Sequence, residues 1–252
     1  MTRMLTAAPA GLHSQMLDAL GADLASGALA PGQVLSSERL EERYGVSRTV
    51  VREAVRVLEQ LGIVHSRRRV GISIRPQQEW EALSPFVIRW RLAGPGRLDQ
   101  LREISEMRTG IEPVAAGLAA RRATEEDRAA LVAAAGGMLV SGSVGDLEAY
   151  LAHDVIFHTT LLRASGNAAF AGLVPIVTEA LAGRTHHRLM PTRPAAEAIR
   201  WHREIAEAIT LGDAASAEHH ARLVVAEAYS AIEHPAEHPA SAGEERAEQG
   251  VQ

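Results

Sequence analysis

The segment from Gly45 to Val64 constrains the fold of this chain more than any other part of the sequence. Ser47 is a favourable N-cap, because its side-chain oxygen can accept a hydrogen bond from the free amides of a helix that begins at Arg48. One face of this helix is apolar and carries Val51, Val55, Leu58 and Leu61. The opposite face carries Arg48, Thr49, Arg52 and Arg56. This division predicts an amphipathic helix of about four turns that ends at Gly62.

A short helix is predicted just before this one, over residues 37–44, with Gly45 in the tight turn between them. A helix, a tight turn and a second helix with an arginine-lined outer face form the helix-turn-helix pattern, whose second helix enters a DNA major groove. Two short, partly β-branched runs follow at 63–66 and 71–74, separated by Arg67, Arg68 and Arg69. They predict a two-stranded wing with a basic tip that reaches phosphates or a minor groove. The less specific interpretation is a solvated helix face and a basic turn.

The segment from Pro31 to Val64 also resembles the winged-helix N-terminal domain of the GntR family of bacterial transcription regulators. The most specific pieces are PG at 31–32, GVSR at 45–48 and VREA at 51–54. The resemblance covers about residues 10–76 and implies that this domain binds operator DNA. The helix face, the wing and the resemblance together predict these DNA-contacting residues: Arg39, Ser47, Arg48, Thr49, Arg52, Arg67, Arg68 and Gly71.

The chain departs from the family pattern at two places. The segment between positions 31 and 45 is one residue shorter than usual, so an arginine of the family's first helix maps either to Arg39 or to Glu38. The wing usually contains two glycines. Gly71 matches one of them, whereas Arg69 stands where the other is expected.

Charge is distributed unevenly along the 252 residues. Residues 1–76 carry ten arginines and seven acidic residues, whereas residues 77–252 carry sixteen and twenty-four. A basic DNA-reading domain attached to an acidic domain therefore accounts for the net charge of −5. The chain has no cysteine, which excludes disulfides and thiolate chemistry. It has neither a run long enough to span a membrane nor an apolar signal segment, so we expect a cytoplasmic protein without a membrane partner.

The spacing of apolar residues divides the chain into four parts. We predict a winged helix-turn-helix domain at residues 10–76, a linker at 77–85, an all-α domain at 86–233 and a disordered polar tail at 234–252. No convincing strand pattern follows the wing, so the expected fold class is mainly α. Trp80, Phe86 and Trp90 form a group of large apolar side chains. This group indicates either core packing or an interdomain contact.

Side chains that can bind a metal ion are concentrated in the second domain. Asp154 and His158 are four residues apart, so they share one face of a helix. His202 lies near the start of a later helix, and His219 and His220 lie on the last one. One carboxylate and two or three imidazoles suit Zn²⁺, or another divalent ion such as Ni²⁺ or Mn²⁺. Spacing alone still favours ordinary surface or core histidines, because the region is rich in histidine.

The second domain is similar, over about residues 80–233, to the effector domain (FCD domain) of the FadR-type branch of the GntR family. The similarity is carried by EMRTGIEPVAAGLAARRAT, DVIFHTTLLRASGN and HREIAEAITLGDAASAEHHA. It implies an antiparallel bundle of six or seven helices that forms the dimer and holds a metal ion, to which the carboxylate of the effector binds. Asp154, His158 and His202 match three of the family's four ligands. The usual fourth histidine falls on Val224, and His220, one turn earlier, is the nearest substitute.

The resemblance also implies which residues bind the effector. Arg108 falls where this branch often has an arginine that faces the pocket, and a guanidinium can hold a carboxylate through two hydrogen bonds. The alternative role for Arg108 is a surface ion pair. The segment WEALSPFVIRWRL at 80–92 is similar to the sugar-acid-responsive members, which favours a hexonate or a related hydroxy acid. We expect His186, His187 and Arg188 to contact its hydroxyl groups.

These patterns predict a homodimeric transcription factor, and more specifically a repressor, that reads a short palindrome and binds it less tightly when a small carboxylate is present. Two other functions remain open. A metal-dependent enzyme would use Asp154, His158 and His202 as ligands, but it would not explain the winged helix. A DNA-binding protein without an effector would have a second domain without a metal ion.

Overall fold

The computed structural model describes residues 11–187, 189–191 and 193–233. The chain divides into two compact units, one ending at Gly96 and the other beginning at Arg97. The tail predicted at 234–252 and the predicted contact residue Arg188 lie outside the described residues. None of the helices in the described part of the chain is long and apolar enough to cross a membrane.

The described part of the first unit consists of helices and a three-stranded antiparallel sheet. The helices are α1 (Leu12–Ala25), α2 (Ser37–Tyr44), α3 (Arg48–Gln60) and α4 (Pro85–Ala93), with a 3-10 turn at Gln77–Glu79 before α4. The strands are β1 (Val34–Leu35), β2 (Val64–Arg67) and β3 (Gly71–Ile74). Strand β3 lies between the other two. The sequence pattern does not predict β1, because two residues are too few to show an alternation.

Helix capping and a left-handed glycine set the geometry of the helix-turn-helix. Ser36 caps α2, where its side chain accepts a hydrogen bond from the backbone amide of Arg39 at 3.2 Å. Gly45 then adopts a φ of +64°, a left-handed conformation that suits glycine and turns the chain towards α3. Ser47 occupies the N-cap position of α3, as predicted. Its side chain makes no capping hydrogen bond, so that part of the prediction is wrong.

The apolar stripe of α3 is buried in the core of the first unit. Val51, Ala54 and Leu58 are at most 1% exposed, and they share a hydrophobic cluster with residues of α1 and of the sheet, such as Leu20 and Ile72. Burial of a side chain of this size stabilises the fold by about 1.5–3 kcal/mol. The stripe therefore determines which face of α3 points inwards, and the arginine-bearing face remains exposed.

Part of the segment predicted to be a linker packs in the first unit. Trp80 and Trp90 are 7% and 3% exposed and belong to its core, so core packing is the correct interpretation for these two residues. Trp90 donates a hydrogen bond from Nε1 to Asp18 Oδ1 at 3.1 Å. Its ring lies so close to Gly21 that a Cβ there would be 2.1 Å away. Helix α4 thus packs on α1, and the chain divides after Gly96, later than the boundary predicted after residue 85.

The second unit is all-α in its described residues, as predicted. Its helices are α5 (Arg97–Arg122), α6 (Glu125–Val144), α7 (Leu147–Ala164), α8 (Ala168–Ala171), α9 (Val174–His186), α10 (Ala196–Leu211) and α11 (Ala214–Glu233). Within the described residues this is a seven-helix domain, in agreement with the six or seven expected. Helix α11 packs against α5 and α10, and α7 packs against α5, α6 and α9. This packing places residues of α5, α7, α9, α10 and α11 around one cavity.

Candidate nucleic-acid interface and metal centre

A surface groove in the first unit runs between α3 and the wing. The residues that line it are Ser37, Arg52, Val55, Arg56, Glu59, Ser66, Arg67, Arg68, Gly71 and Ile72. The structure thus brings Arg52 of α3 together with Arg67 and Arg68 of the wing. Arginines on both walls of one groove suit a polyanionic nucleic-acid backbone.

The other predicted DNA-contacting residues do not line this groove. Arg39 is exposed on α2, and Ser47, Arg48 and Thr49 are exposed at the start of α3. The N-terminal residues of a recognition helix are the ones that contact base edges in helix-turn-helix proteins, so this exposure is compatible with their predicted role. Arg56, which is not in the predicted set, lines the groove and forms an exposed ion pair with its helix neighbour three residues earlier.

The geometry of the wing depends on two backbone positions and one side chain. Arg69 has a φ of +66°, in the left-handed region that glycine prefers, which explains why a glycine is expected there. Gly71 has a φ of +119°, and a Cβ would lie 2.6 Å from the carbonyl oxygen of Leu35, so Gly71 acts by shaping the wing through its backbone. Glu59 accepts a hydrogen bond from the amide of Ser66 at 3.0 Å and ties β2 to α3. No sequence pattern identifies Glu59.

Three of the predicted metal ligands meet inside the second unit. Asp154 and His158 lie one turn apart on α7, His202 lies on α10, and all three are buried. Asp154 Oδ1 is 3.2 Å from His158 Nε2 and 3.6 Å from His202 Nε2, and the two imidazole nitrogens are 3.3 Å apart. Donor atoms that surround a tetrahedral ion at 2.0–2.2 Å are about 3.3–3.6 Å from one another. The three atoms therefore have the spacing of ligands around one ion.

Hydrogen bonds orient both imidazoles so that each Nε2 lies near Asp154. His202 Nδ1 donates to the carbonyl oxygen of Ala198 at 2.7 Å, and His158 Nδ1 lies 2.9 Å from a carboxylate oxygen of Glu112. Contacts of this kind orient histidines that bind metals. Asp154 Oδ1 is buried and makes no hydrogen bond within the described part of the chain. A buried carboxylate oxygen with an imidazole nitrogen 3.2 Å away on one side and 3.6 Å away on the other suits a divalent cation when both imidazoles are neutral.

Arg108 is buried beside this cluster. Its Nε and Nη2 donate to the carboxylate of Glu112 at 2.6 and 3.3 Å, and its Nη2 also lies 3.3 Å from His158 Nε2. The alternative of a surface ion pair is wrong, because Arg108 and Glu112 are 4% and 1% exposed. Glu112 contacts both Arg108 and His158, yet the sequence patterns did not single it out. Its spacing of four residues from Arg108 on α5 is the signal that points to it.

The charges of the cluster are strongly coupled. Burial lowers the pKa of His158, but the carboxylates of Glu112 and Asp154 together outweigh burial and raise that pKa to about 9. Burial dominates for His202 and lowers its pKa to about 4. Burial raises the pKa of Asp154 and of Glu112. The basic side chains around them, His158, Arg108 and, for Asp154, also His202, together outweigh burial and hold both pKa values below their usual range. These shifts favour a proton on His158 in the absence of an ion, so an ion that binds here displaces that proton.

The structure does not bring His220 into this cluster. His220 Nε2 lies 3.2 Å from Glu204 Oε2, and its Nδ1 lies 3.3 Å from Ser216 Oγ. The predicted fourth ligand is therefore engaged elsewhere. The reason is geometric, because one helical turn moves a side chain about 5.4 Å along the axis. Val224, one turn after His220, lines the cavity beside the three ligands instead.

A small cavity opens beside the three ligands. The residues that line it are Arg108, Tyr150, Asp154, His158, Leu181, Arg184, Met190, Pro191, Pro194, Ala195, Ala198, His202, Val224, Glu227 and Ala228. Its volume of about 20 Å³ holds an ion or a water molecule but not a hexonate. Neither His186 nor His187, the predicted effector contacts in the described part of the chain, is among the lining residues, whereas Arg184, one turn before His187 on α9, is.

Comparison with known proteins relates both units to one family. The model of bacterial regulatory proteins of the gntR family matches residues 12–74, and the model of the FCD domain matches residues 103–227. The helix-turn-helix transcriptional regulator Rv0494 of Mycobacterium tuberculosis (strain H37Rv) is 32% identical over 192 residues, which cover 76% of this chain and 77% of that protein. The chain belongs to the GntR family of bacterial regulators.

Other proteins similar to this GntR regulator are also transcriptional regulators. The galactonate operon transcriptional repressor of Escherichia coli (strain K12) is 28% identical over 211 residues, or 82% of this chain and 90% of that protein. A probable D-xylose utilization operon repressor of Paenarthrobacter nicotinovorans is 29% identical over 215 residues, or 82% of each protein. The structure of Lar, which controls the Listeria monocytogenes agr system, shares the fold at 20% identity, with a TM-score of 0.59 over 92% of this chain and 99% of that one.

Membership of this family distinguishes a transcription regulator from a metal-dependent enzyme. Its members and the relatives of this chain are transcriptional regulators, so the protein is a DNA-binding regulator of transcription and the alternative of a metal-dependent enzyme is wrong. The mainly α fold with an N-terminal winged helix is confirmed.

Proposed function

We propose that this GntR regulator is a homodimeric repressor whose second unit holds a divalent metal ion and binds a small hydroxy acid beside it. The observation that carries the proposal is the group of Asp154, His158 and His202, three buried donors at ligand spacing next to a cavity. Two imidazoles and one carboxylate suit Zn²⁺, with Ni²⁺ or Mn²⁺ as alternatives. When bound, the ion supplies a Lewis acid for a carboxylate oxygen of the effector.

The residues around the cluster determine how the acid binds. Arg108 lines the cavity, so its guanidinium is placed to hold the carboxylate of the acid by two hydrogen bonds. Val224 cannot act as a ligand, which leaves a coordination position for the acid or for water. The repressors of galactonate and D-xylose operons among the relatives support both a sugar-derived effector and repression as the mode of action.

The small size of the cavity suggests how effector binding is linked to operator binding. An acid larger than water enters only if the cavity widens, so it binds preferentially to an opened conformation of the second unit. Preferential binding shifts the population towards that conformation. If the opened dimer holds its recognition helices in a different geometry, the acid weakens operator binding. The operator then weakens acid binding by the same coupling free energy.

Exposed apolar side chains on α6 support a dimer. Val132, Leu139, Val140 and Val144 are between 44% and 71% exposed. A contiguous apolar surface of this kind is typical of an association site. Dimerisation would supply two copies of α3, which a palindromic operator requires.

Operator release by D-galactonate tests the proposed function. The operator is first selected from a random DNA library with the zinc-loaded protein, and its binding is then followed by fluorescence anisotropy. We expect D-galactonate to weaken operator binding by about tenfold or more, a coupling of about 1.4 kcal/mol. Removal of zinc by a chelator should abolish this response without weakening operator binding by the acid-free protein.

The variant His158→Ala should behave as the chelated protein does, because it removes a ligand and leaves the first unit unchanged. His186→Ala is the matched control, since His186 is exposed and pairs with Glu148 away from the cavity. A full zinc content in His158→Ala, or a response that persists after chelation, would locate the sensing site elsewhere.

A further inference from the structure

A second polar group lines the same cavity, apart from the three metal ligands. It consists of Arg184 on α9 and Glu227 on α11, whose side chains are 12% and 13% exposed. Arg184 Nη2 lies 3.6 Å from Glu227 Oε2. This distance allows an ion pair but is too long for a hydrogen bond. Two largely buried opposite charges therefore line the cavity with part of their hydrogen-bonding capacity unused.

Arg184 also has a buried donor without a partner. Its Nε is inaccessible to solvent and makes no hydrogen bond with any residue that the structure describes. Buried donors in folded proteins are almost always paired, and an exception on a cavity wall indicates a ligand or a water molecule that completes it. The unpaired Nε is thus an observation, independent of the metal ligands, of a donor that a ligand reaches when the cavity widens as the proposed function requires.

Tyr150 connects the pair to the metal ligands. It lies one turn before Asp154 on α7, so the two positions are about 5.4 Å apart along the helix. Burial raises the pKa of Tyr150, and the Asp154 carboxylate raises it further, so the hydroxyl stays protonated and can donate. A chain of a few carbon atoms spans one helical turn. Arg184 and Glu227 are close enough to Tyr150 to affect its pKa, and all three line one cavity, so an acid whose carboxylate lies at the metal ligands extends along α7 towards them.

The charges of the pair select among chemical groups. A second carboxylate would be attracted by Arg184 but repelled by Glu227. An ammonium group would be attracted by Glu227 but repelled by Arg184. An apolar tail would cover both charges and leave their hydrogen bonds unmade, which is unfavourable. A hydroxyl group both donates and accepts, so it satisfies Glu227 and Arg184 at the same time.

We propose that Arg184, Glu227 and Tyr150 form a hydroxyl-binding subsite that makes the pocket selective for polyhydroxylated monocarboxylic acids. The subsite rests on the proposed function, because the carboxylate of the acid must first bind at the metal and Arg108. Glu227 accepts a hydrogen bond from one hydroxyl, and Arg184 and Tyr150 donate to the oxygens of the same or the next hydroxyl. An acid with one hydroxyl, such as lactate, is too short to use them.

Isothermal titration of the zinc-loaded, full-length protein with D-galactonate and L-lactate tests the subsite. We expect wild type to bind D-galactonate at least about tenfold more tightly than L-lactate. Glu227→Gln should weaken D-galactonate binding by about tenfold or more, because it removes the charged acceptor and leaves Arg184 unpaired. The same variant should bind L-lactate within about twofold of wild type.

Arg184→Lys is the second variant, since it keeps the positive charge but loses the Nε donor, and the same selective loss is expected. Glu204→Gln is the matched control, because Glu204 pairs with His220 outside the cavity lining. Thermal melting and zinc content show that each variant is folded and loaded. If both variants are folded and bind D-galactonate as wild type does, the subsite is rejected.

The failure of the subsite and the failure of the proposed function give different results. If wild type binds D-galactonate and L-lactate equally well in the presence of zinc, the metal site stands and the subsite is wrong. If wild type binds neither acid at concentrations at which the zinc site is full, the proposed function fails and the subsite fails with it.

Discussion

Val224 determines how many protein ligands the metal site can offer. It is 5% exposed and lines the cavity at the position where the FCD pattern has a histidine. Its isopropyl group cannot coordinate, so an ion held by Asp154, His158 and His202 has three protein ligands. Sites with three protein ligands keep a position for an external molecule, whereas four-ligand sites are closed. Three protein ligands therefore leave more of the coordination sphere to an acid than the family's usual four ligands do.

Val224→His should bring the site to the family's usual four protein ligands. We expect the affinity for zinc to rise by about tenfold or more, equivalent to about 1.4 kcal/mol, because a fourth imidazole joins the three ligands. The affinity for D-galactonate should fall, because the added histidine occupies the position that the acid would use. Competition with a chromophoric chelator measures the first effect, and calorimetry measures the second.

Val224→Leu is the control for this substitution, since it keeps the cavity wall apolar and adds no ligand. A folded Val224→His variant with unchanged zinc affinity would show that a side chain at this position of α11 does not reach the ion.

At the scale of secondary-structure elements, α3 and the wing form one DNA-reading surface. Arg52 on α3 shares a groove with Arg67 and Arg68 at the tip of the wing. The hydrogen bond from the amide of Ser66 to Glu59 holds β2 against α3 and so fixes the position of the wing relative to α3. The recognition helix and the wing therefore approach DNA together.

Arg52→Ala tests the recognition helix. Because Arg52 is exposed, we expect the melting temperature, zinc content and acid binding of the variant to match those of wild type. Operator affinity should fall by about 1–3 kcal/mol, while affinity for unrelated DNA should fall far less. Anisotropy titrations with the operator and with a scrambled duplex measure the difference.

Arg121→Ala is the matched control for Arg52→Ala, because Arg121 is exposed near the end of α5 in the second unit. Operator affinity that is the same in Arg52→Ala, Arg121→Ala and wild type would reject the assignment of Arg52 to DNA contact.

At the scale of the whole molecule, the proposed function requires the assembly of two chains. Helix α6 exposes an apolar face, and a groove beside it is lined by residues of α6 and α10, including Val132 and Leu211. Such a surface is unfavourable in water unless another molecule covers it. A second copy is the partner that the two-fold symmetry of a palindromic operator calls for.

Val140→Arg should disrupt the dimer, because it introduces a charge on the α6 face where Val140 is 68% exposed. Light scattering coupled to size-exclusion chromatography should show a monomer. Operator affinity should fall strongly, since two recognition helices no longer bind as one unit. Ile156→Arg is the control, because Ile156 is also exposed but lies on α7. A dimeric Val140→Arg variant would exclude the α6 face as the interface.

Local sequence patterns by themselves determined much of the fold and part of the site. The spacing of Val51, Val55 and Leu58 predicted both the existence of α3 and its buried face, because apolar residues at helical spacing lie on the face that packs against the core. Gly45 marked the turn, since its left-handed conformation favours one residue type. Asp154 and His158 were placed on one helix face, because the helical repeat alone brings positions four apart together.

The tertiary structure alone decided which of these local faces meet. It packed Trp90 against Gly21, brought His202 to Asp154 and left His220 bound to Glu204. The contacts of Glu112 with His158 and of Arg184 with Glu227 likewise join different helices. No periodicity within one segment encodes such pairs, because they depend on how helices distant in sequence are oriented and spaced in the core. The proposed metal and acid site therefore depends on the packing of the bundle, whereas the helix-turn-helix can be recognised from sequence alone.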